Sequence, residues 1–294
     1  MDQEGLYHNR QGHLKLESGD LEGALREFTE ACAMQPENLG FRNSRIHCLR
    51  SMGKKKEAME EIAALLRERP GNQEIGIMLF EAQEENGALY EALATLDSLI
   101  ERDPFDPELH WRKGEFFAIH ENMGGALSEI EQCVSLDPEN PKYLNAKSEI
   151  LISLEREEDA MENYDRLIKI NPFDPDPYYQ MGNLLVNMGQ ESRAEEYYRK
   201  LVELRPHQIH SYQVLAQFYE TFDRYEEALG CYNSMITLDP RKSNLYFDRG
   251  SIYEGLGKYQ EAQRDYEEAL KLEPENREYS LRLQSLVRRI RGTK

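Results

Sequence analysis

Four side chains near the start of the chain are the first that could do chemistry together. His13 and His47 stand 34 residues apart, and Asn9 and Asn43, with the same separation, each precede a histidine by four residues. Two imidazoles and two amides could hold a metal ion or hydrogen-bond a polar ligand. The metal is the weaker reading, because imidazoles on helices packed about 8–10 Å apart need a third ligand to share an ion. The series continues in carboxylates: Glu81, Glu115 and Glu149 follow at the same interval, and then Asn183, Gln217 and Ser251. Converging carboxylates focus negative potential and hold cations such as Lys or Arg side chains. The chain contains no GxSxG, P-loop, HExxH or EF-hand loop, and no GxGxxG following a strand, so the sequence predicts neither catalysis nor a bound cofactor.

The interval belongs to the whole chain. Prolines fall at Pro36, Pro70, Pro104, Pro138, Pro172, Pro206, Pro240 and Pro274, and twelve residues before each stands an alanine: Ala24, Ala58, Ala92, Ala126, Ala160, Ala194, Ala228 and Ala262. Two ladders in register mark tandem units that bury their apolar faces against their neighbours. Within a unit the apolar residues recur at three and four, the helical period. In the last copy Leu245, Tyr246, Ile252, Tyr253 and Leu256 make one set, and Tyr259, Ala262, Tyr266, Ala269, Leu270 and Leu272 a second. Gly257 between them suits a turn, since glycine takes positive φ at little cost. Asp106-Pro107, Asn140-Pro141 and Asp174-Pro175 predict helix starts with an N-cap followed by a proline at the first helical position.

The bulk numbers agree. Of 294 residues 39% are hydrophobic and 31% charged, and no apolar run approaches the roughly 18 residues of a membrane span. The start, MDQEGLYHNRQG, lacks the basic-then-apolar pattern of a secretory signal. The net charge of −19 opposes nucleic acid, which needs clustered Lys and Arg to displace its counterions. A basic or neutral partner fits better. Cys32, Cys48, Cys133 and Cys231 have no CxxC spacing and read as buried, reduced thiols of a cytoplasmic protein.

The pattern resembles the tetratricopeptide repeat, W-x2-L-G-x2-Y, then A-x3-F, then P. The first-helix glycine is present as Gly12, Gly114, Gly182 and Gly250, and the second-helix aromatic as Phe28, Tyr164, Tyr198, Tyr232 and Tyr266. The second and third copies depart from it, with Ile46 and Phe80 at the small-residue position and Arg42 and Arg45 where apolar residues are usual. The first copy has polar His8 and Gln11 at those two places, which would suit a solvent-facing end. The resemblance implies an all-α solenoid, a right-handed superhelix of eight helix-turn-helix units spanning 1–294. Its repeats are 5–38, 39–72, 73–106, 107–140, 141–174, 175–208, 209–242 and 243–276, with a capping helix at 277–294.

In that family the first helices line a concave groove that takes extended or helical peptides. Carried over, the ninth position of each unit faces the groove: His13, His47, Glu81, Glu115, Glu149, Asn183, Gln217 and Ser251. Glu74, Glu84, Glu85 and Glu108 deepen its acidic middle, with Arg112 and Lys142 able to neutralise part of it. The fifth position adds Asn9, Asn43, Trp111, Asn145, Tyr179, Gln213 and Phe247, the aromatics being suited to anchor a partner or to pack between helices. The co-chaperone clamp for a C-terminal carboxylate is incomplete, since the third unit has Glu74 and Met78 where it uses cations. The expected function is a non-enzymatic scaffold that binds a protein or peptide segment carrying basic residues. The alternatives are self-assembly through the C-terminal helix, with Arg277, Arg282, Arg288, Arg289 and Arg291, and a recruiting subunit of an enzyme complex.

Overall fold

In a computed structural model describing residues 2–292, the helical period is realised as seventeen helices, with no strand among the described residues. Positions 1, 293 and 294 of the expected array lie outside them. Two compact units are formed, Met1–Pro138 and Glu139–Lys294. The first holds four helix pairs: α1 (Asp2–Glu17) and α2 (Leu21–Met34), α3 (Leu39–Ser51) and α4 (Lys55–Glu68), α5 (Gln73–Glu85) and α6 (Leu89–Arg102), α7 (Pro107–Ile119) and α8 (Met123–Leu136). The second holds α9 (Pro141–Ser153) and α10 (Glu157–Ile170), α11 (Asp176–Asn187) and α12 (Glu191–Leu204), α13 (Ile209–Thr221) and α14 (Tyr225–Leu238), α15 (Ser243–Gly255) and α16 (Tyr259–Leu272), and ends in α17 (Arg277–Gly292). Inside each unit a helix packs chiefly on its neighbours in sequence. This is the local contact pattern of an all-α solenoid.

The alanine ladder marks where the two helices of a pair cross. All eight alanines have no exposed surface. Beside each alanine the second helix presses one large side chain on the first. At Gly12 a Cβ would come within 2.5 Å of the Phe28 ring, and at Gly182 within 2.5 Å of Tyr198. The copies that depart from the glycine trade volume across the same contact. Ile46 faces the core with Ile62, and Phe80 joins Leu96, all but inaccessible to solvent. The early copies thus reach the same packing with bulk moved from one helix to the other, which cores tolerate when total volume is kept.

Arginines at apolar positions also find a structural role. Arg45 on α3 lies 2.9 Å from Glu61 on α4, and the equivalent pairs recur as Lys113 with Glu129, 2.7 Å apart, and Arg249 with Asp265, 2.6 Å apart. The expected polar end of the first copy differs. His8 turns inward to bond Glu27 at 2.7 Å, while Leu6, Tyr7 and Leu14 are exposed. The Glu27 carboxylate on α2 holds His8 partly off the solvent face. The four cysteines are buried outside any disulfide, Cys48 and Cys133 donate to the carbonyls of Leu21 and Pro107 at 3.4 and 3.3 Å, and burial pushes the Cys231 thiol up to about 11.

Helix ends follow local chemistry. Asp106 and Asn140 cap α7 and α9 through the amides of Glu108 and Lys142, at 2.8 and 3.1 Å. At the third such junction the same capping bond forms, although the assigned start of α11 falls one residue further on. Pro175 is the cap residue of α11, and Asp174 accepts from the amide of Asp176 at 3.1 Å. The turn inside each repeat needs a residue at positive φ. Gly257 supplies it as expected (φ 76°), as do Gly19, Gly53, Gly87 and Gly189, but Glu121, Glu155 and Asp223 hold φ near 56–59° at the same place. The turn at Glu155 keeps the bonding of the glycine turns, with the amides of Glu155 and Arg156 reaching Ile152 and Leu151 at 3.0 and 2.9 Å.

In the second unit Glu195 on α12 is a hub. Its carboxylate, 16% exposed, accepts from Arg224 at 2.5 Å, from Arg199 at 2.8 Å and from the Tyr219 hydroxyl at 2.9 Å. The bond from Arg224 is the main reason its carboxyl is held down, to about 2.

Two outcomes are expected. Glu155→Gly removes a left-handed strain of about 1 kcal/mol, so the denaturant midpoint should rise, the gain limited by glycine's greater unfolded freedom; a lower midpoint would contradict the turn assignment. The Glu195 contribution is complete above the ordinary carboxyl value of 4.5 and is lost as pH falls toward about 2. The stability difference between the parent chain and Glu195→Gln should therefore shrink with acid over that range, and a difference independent of pH would contradict it.

Candidate functional site

Side chains at the ninth position of the repeats leave the first helices beside the buried glycine or its substitute. The structure leaves His13, His47, Glu115, Glu149 and Gln217 exposed, and Glu81, Asn183 and Ser251 partly so. The fifth-position residues Asn9, Asn43, Trp111, Asn145, Tyr179, Gln213 and Phe247 are all half-buried.

In the first unit the polar quartet is not joined into one cluster. The Nε2 of His13 meets Ser44 Oγ at 3.2 Å, and its ring stands edge-on to Phe28 with centroids 5.1 Å apart. The Oδ1 atoms of Asn9 and Asn43 are buried without a hydrogen-bond partner among the described residues. No group of three or more His, Cys, Asp or Glu side chains among those residues is placed to hold a metal ion.

The acidic middle is partly neutralised from within. Arg112 on α7 reaches Glu81 on α5 at 3.3 Å and Glu108 on its own helix at 3.2 Å. Glu84 lies 3.8 Å from His120, and Glu85 pairs with Arg50. Glu74 and Glu115 are exposed and enter no ion pair among the described residues. Trp111 sits half-buried on α7 next to Arg112.

In the second unit three expected groove residues do come together. Tyr179 and Asn183 on α11 and Gln217 on α13 line one concavity of 260 Å³ with Tyr198 and Phe218. The Tyr198 hydroxyl donates to Asn183 Oδ1 at 2.7 Å, which engages that amide through its oxygen. Glu149 on α9 is exposed. Phe247 is committed to packing, stacked on Tyr279 of α17 with centroids 4.7 Å apart and 5.3 Å from Tyr266.

Family models described as tetratricopeptide repeat match residues 9–73, 60–110, 175–208 and 215–288, and one described as TPR repeat matches 149–189. The chain belongs to the tetratricopeptide repeat family. Proteins of this family act as protein-interaction scaffolds. None of the curated proteins compared matches the chain in sequence. Among solved structures it is similar to MamA, at 20% identity and TM-score 0.48 over 59% of this chain and 94% of that one. It is similar also to YrrB, described as a TPR protein with an unusual peptide-binding site, at 16% identity and TM-score 0.46 over 65% and 97%. A tetratricopeptide repeat protein from Parabacteroides merdae matches at 17% identity and TM-score 0.46 over 97% and 99%.

Sequence reasoning passed over the histidine that the fold uses most. His110 is 7% exposed and held at both ring nitrogens, by Glu129 at 2.7 Å and by the Pro104 carbonyl at 3.1 Å. Its signal was the His–Glu spacing of 19 residues shared with His8 and Glu27 in the first tetratricopeptide repeat.

Helix α17 closes the last repeat by burying Tyr279 and Leu286. The stack on Phe247 is its aromatic anchor. Phe247→Ala should speed amide exchange along α17 and cost about 1–3 kcal/mol, less than the ~3–5 of a fully buried ring. Unchanged exchange in α17 would show that the stack does not hold it.

Proposed function

We propose that the chain is a non-enzymatic scaffold whose first helices receive an extended or helical segment of a partner protein, with basic residues among its contacts. The observation that carries the reading is the concavity between α11 and α13, where Tyr179, Asn183 and Gln217 bring an aromatic ring and two side-chain amides to one place. Aromatic rings give contact area at little entropic cost, and side-chain amides pair with the backbone of an extended peptide. Exposed Glu115 in the first unit and Glu149 in the second are available to cations of the partner, whereas Glu81 is already met by Arg112.

Self-assembly through α17 is the weaker reading. Of its arginines, Arg282 lies 2.9 Å and Arg289 3.9 Å from Glu254 of α15, so part of the basic surface is spent within the chain.

Selection of peptides from a random library on the full chain tests the proposal. Enrichment of sequences with Lys or Arg is expected, and their binding should weaken in Tyr179→Ala. Glu115→Gln and Glu149→Gln should each weaken binding and flatten its salt dependence, with Glu81→Gln having the smaller effect. Selected peptides that bind all four variants like the parent chain would refute the first-helix site.

A further inference from the structure

The strongest feature left unexplained is a cavity of 380 Å³ in the second unit, bounded by α13, α14 and α15. Its lining includes Glu220, Tyr225, Tyr232, Asp248, Ile252 and Leu256, and Ser251 of the groove series stands at its edge. Two carboxylates share this cavity. Glu220 accepts a bond from the Tyr232 hydroxyl at 3.1 Å. Asp248 has no side-chain partner among the described residues, and neither carboxylate pairs with a cation there. The charges that bear on Asp248 most are Glu220 of α13 and then Glu278 of α17, both negative, while Arg282 of α17 is engaged by Glu254.

This departs from the rule that the rest of the fold follows. Glu61, Glu129, Glu195 and Asp265 are shielded carboxylates, and each is met by an Arg or Lys of the chain. Glu84 and Glu254 hold the same repeat position as Glu220. The first lies 3.8 Å from His120 and the second 2.9 Å from Arg282. Glu220 faces another carboxylate instead. Burial, and for Asp248 also its acidic neighbours, holds both carboxyls above their usual range. A like-charged pair partly withdrawn from water without a counter-charge lowers stability, so its place in the fold calls for a cation from outside the chain.

We infer that this cavity is the pocket for a lysine or arginine side chain of the bound polypeptide. The inference deepens the scaffold reading and rests on it. Ile252, Leu256 and the ring of Tyr225 would cover the methylene stem, as apolar walls do for snorkelling basic side chains. Glu220 and Asp248 would take the charged head, and Tyr232 orients Glu220 for it. The cation would restore the charge balance that the chain's own residues supply elsewhere.

The test uses the full chain and three small probes, N-acetyl-arginine methylamide, N-acetyl-lysine methylamide and, as an apolar control, N-acetyl-norleucine methylamide, followed by NMR titration. Saturable shifts at Tyr232, Asp248, Ile252 and Leu256 are expected with one or both basic probes and not with norleucine. Binding should weaken ~10-fold or more in Glu220→Gln and in Asp248→Asn, as loss of one member of a charge-assisted contact requires. The same variants report on folding, and Asp248→Asn should raise the thermal midpoint because it relieves the repulsion. No saturable binding of either basic probe, or equal binding by both variants, overturns the pocket while leaving the library selection to judge the scaffold. A midpoint lowered by Asp248→Asn also overturns it, because the carboxylate would then be structural. Concentration-dependent association of the chain that Asp248→Asn abolishes would assign the pocket to an arginine of a second copy, against the inference.

Discussion

A helix pair in this chain closes around one alanine, and the rest of the structure depends on that contact. With no side chain beyond a methyl group at the crossing, the two backbones approach closely enough for the large residue of the second helix to cover the first. The eight alanines have no accessible surface. A larger side chain at such a point costs about 1–3 kcal/mol, and it would shift the helix that presents the groove residues. Packing and recognition are therefore linked geometrically: the second helices hold the crossing, and the outward faces of the first helices are left to vary.

Most of the architecture was legible because tandem units write it eight times. The proline ladder was readable for a local reason: the residue before a proline is pushed out of the helical region, as Gln35 shows with φ −137° and ψ 78°. Where the reading slipped, one local signal competed with another. His8 and Gln11 looked like a wetted end, but a carboxylate 19 residues along, Glu27, drew His8 inward. Ile46 and Phe80 looked like defects, because the compensating change in volume lies on the other helix, at Ile62 and Leu96.

The candidate site was less legible than the fold. A column of residues shows which side chains leave the helix on one face, but not which of them a neighbour neutralises. Glu81, Glu115 and Glu149 are equal in the column and unequal in the structure, since Arg112 reaches only the first. Trp111 and Phe247 likewise share a position, yet Phe247 is engaged by Tyr279 from beyond the last repeat. The pair Glu220 and Asp248 escaped notice because its members occupy different positions in successive repeats. Only the packing of α13 on α14 and α14 on α15 brings them into one cavity.

Labour is divided between the helices of each pair, with second helices for structure and first helices for recognition. Hydrogen–deuterium exchange on the full chain, with and without a saturating peptide selected against it, measures that division directly. Protection on binding is predicted at the outward faces of α11, α13 and α15, with the second helices α12, α14 and α16 changing little. Protection concentrated on the second helices would contradict the account.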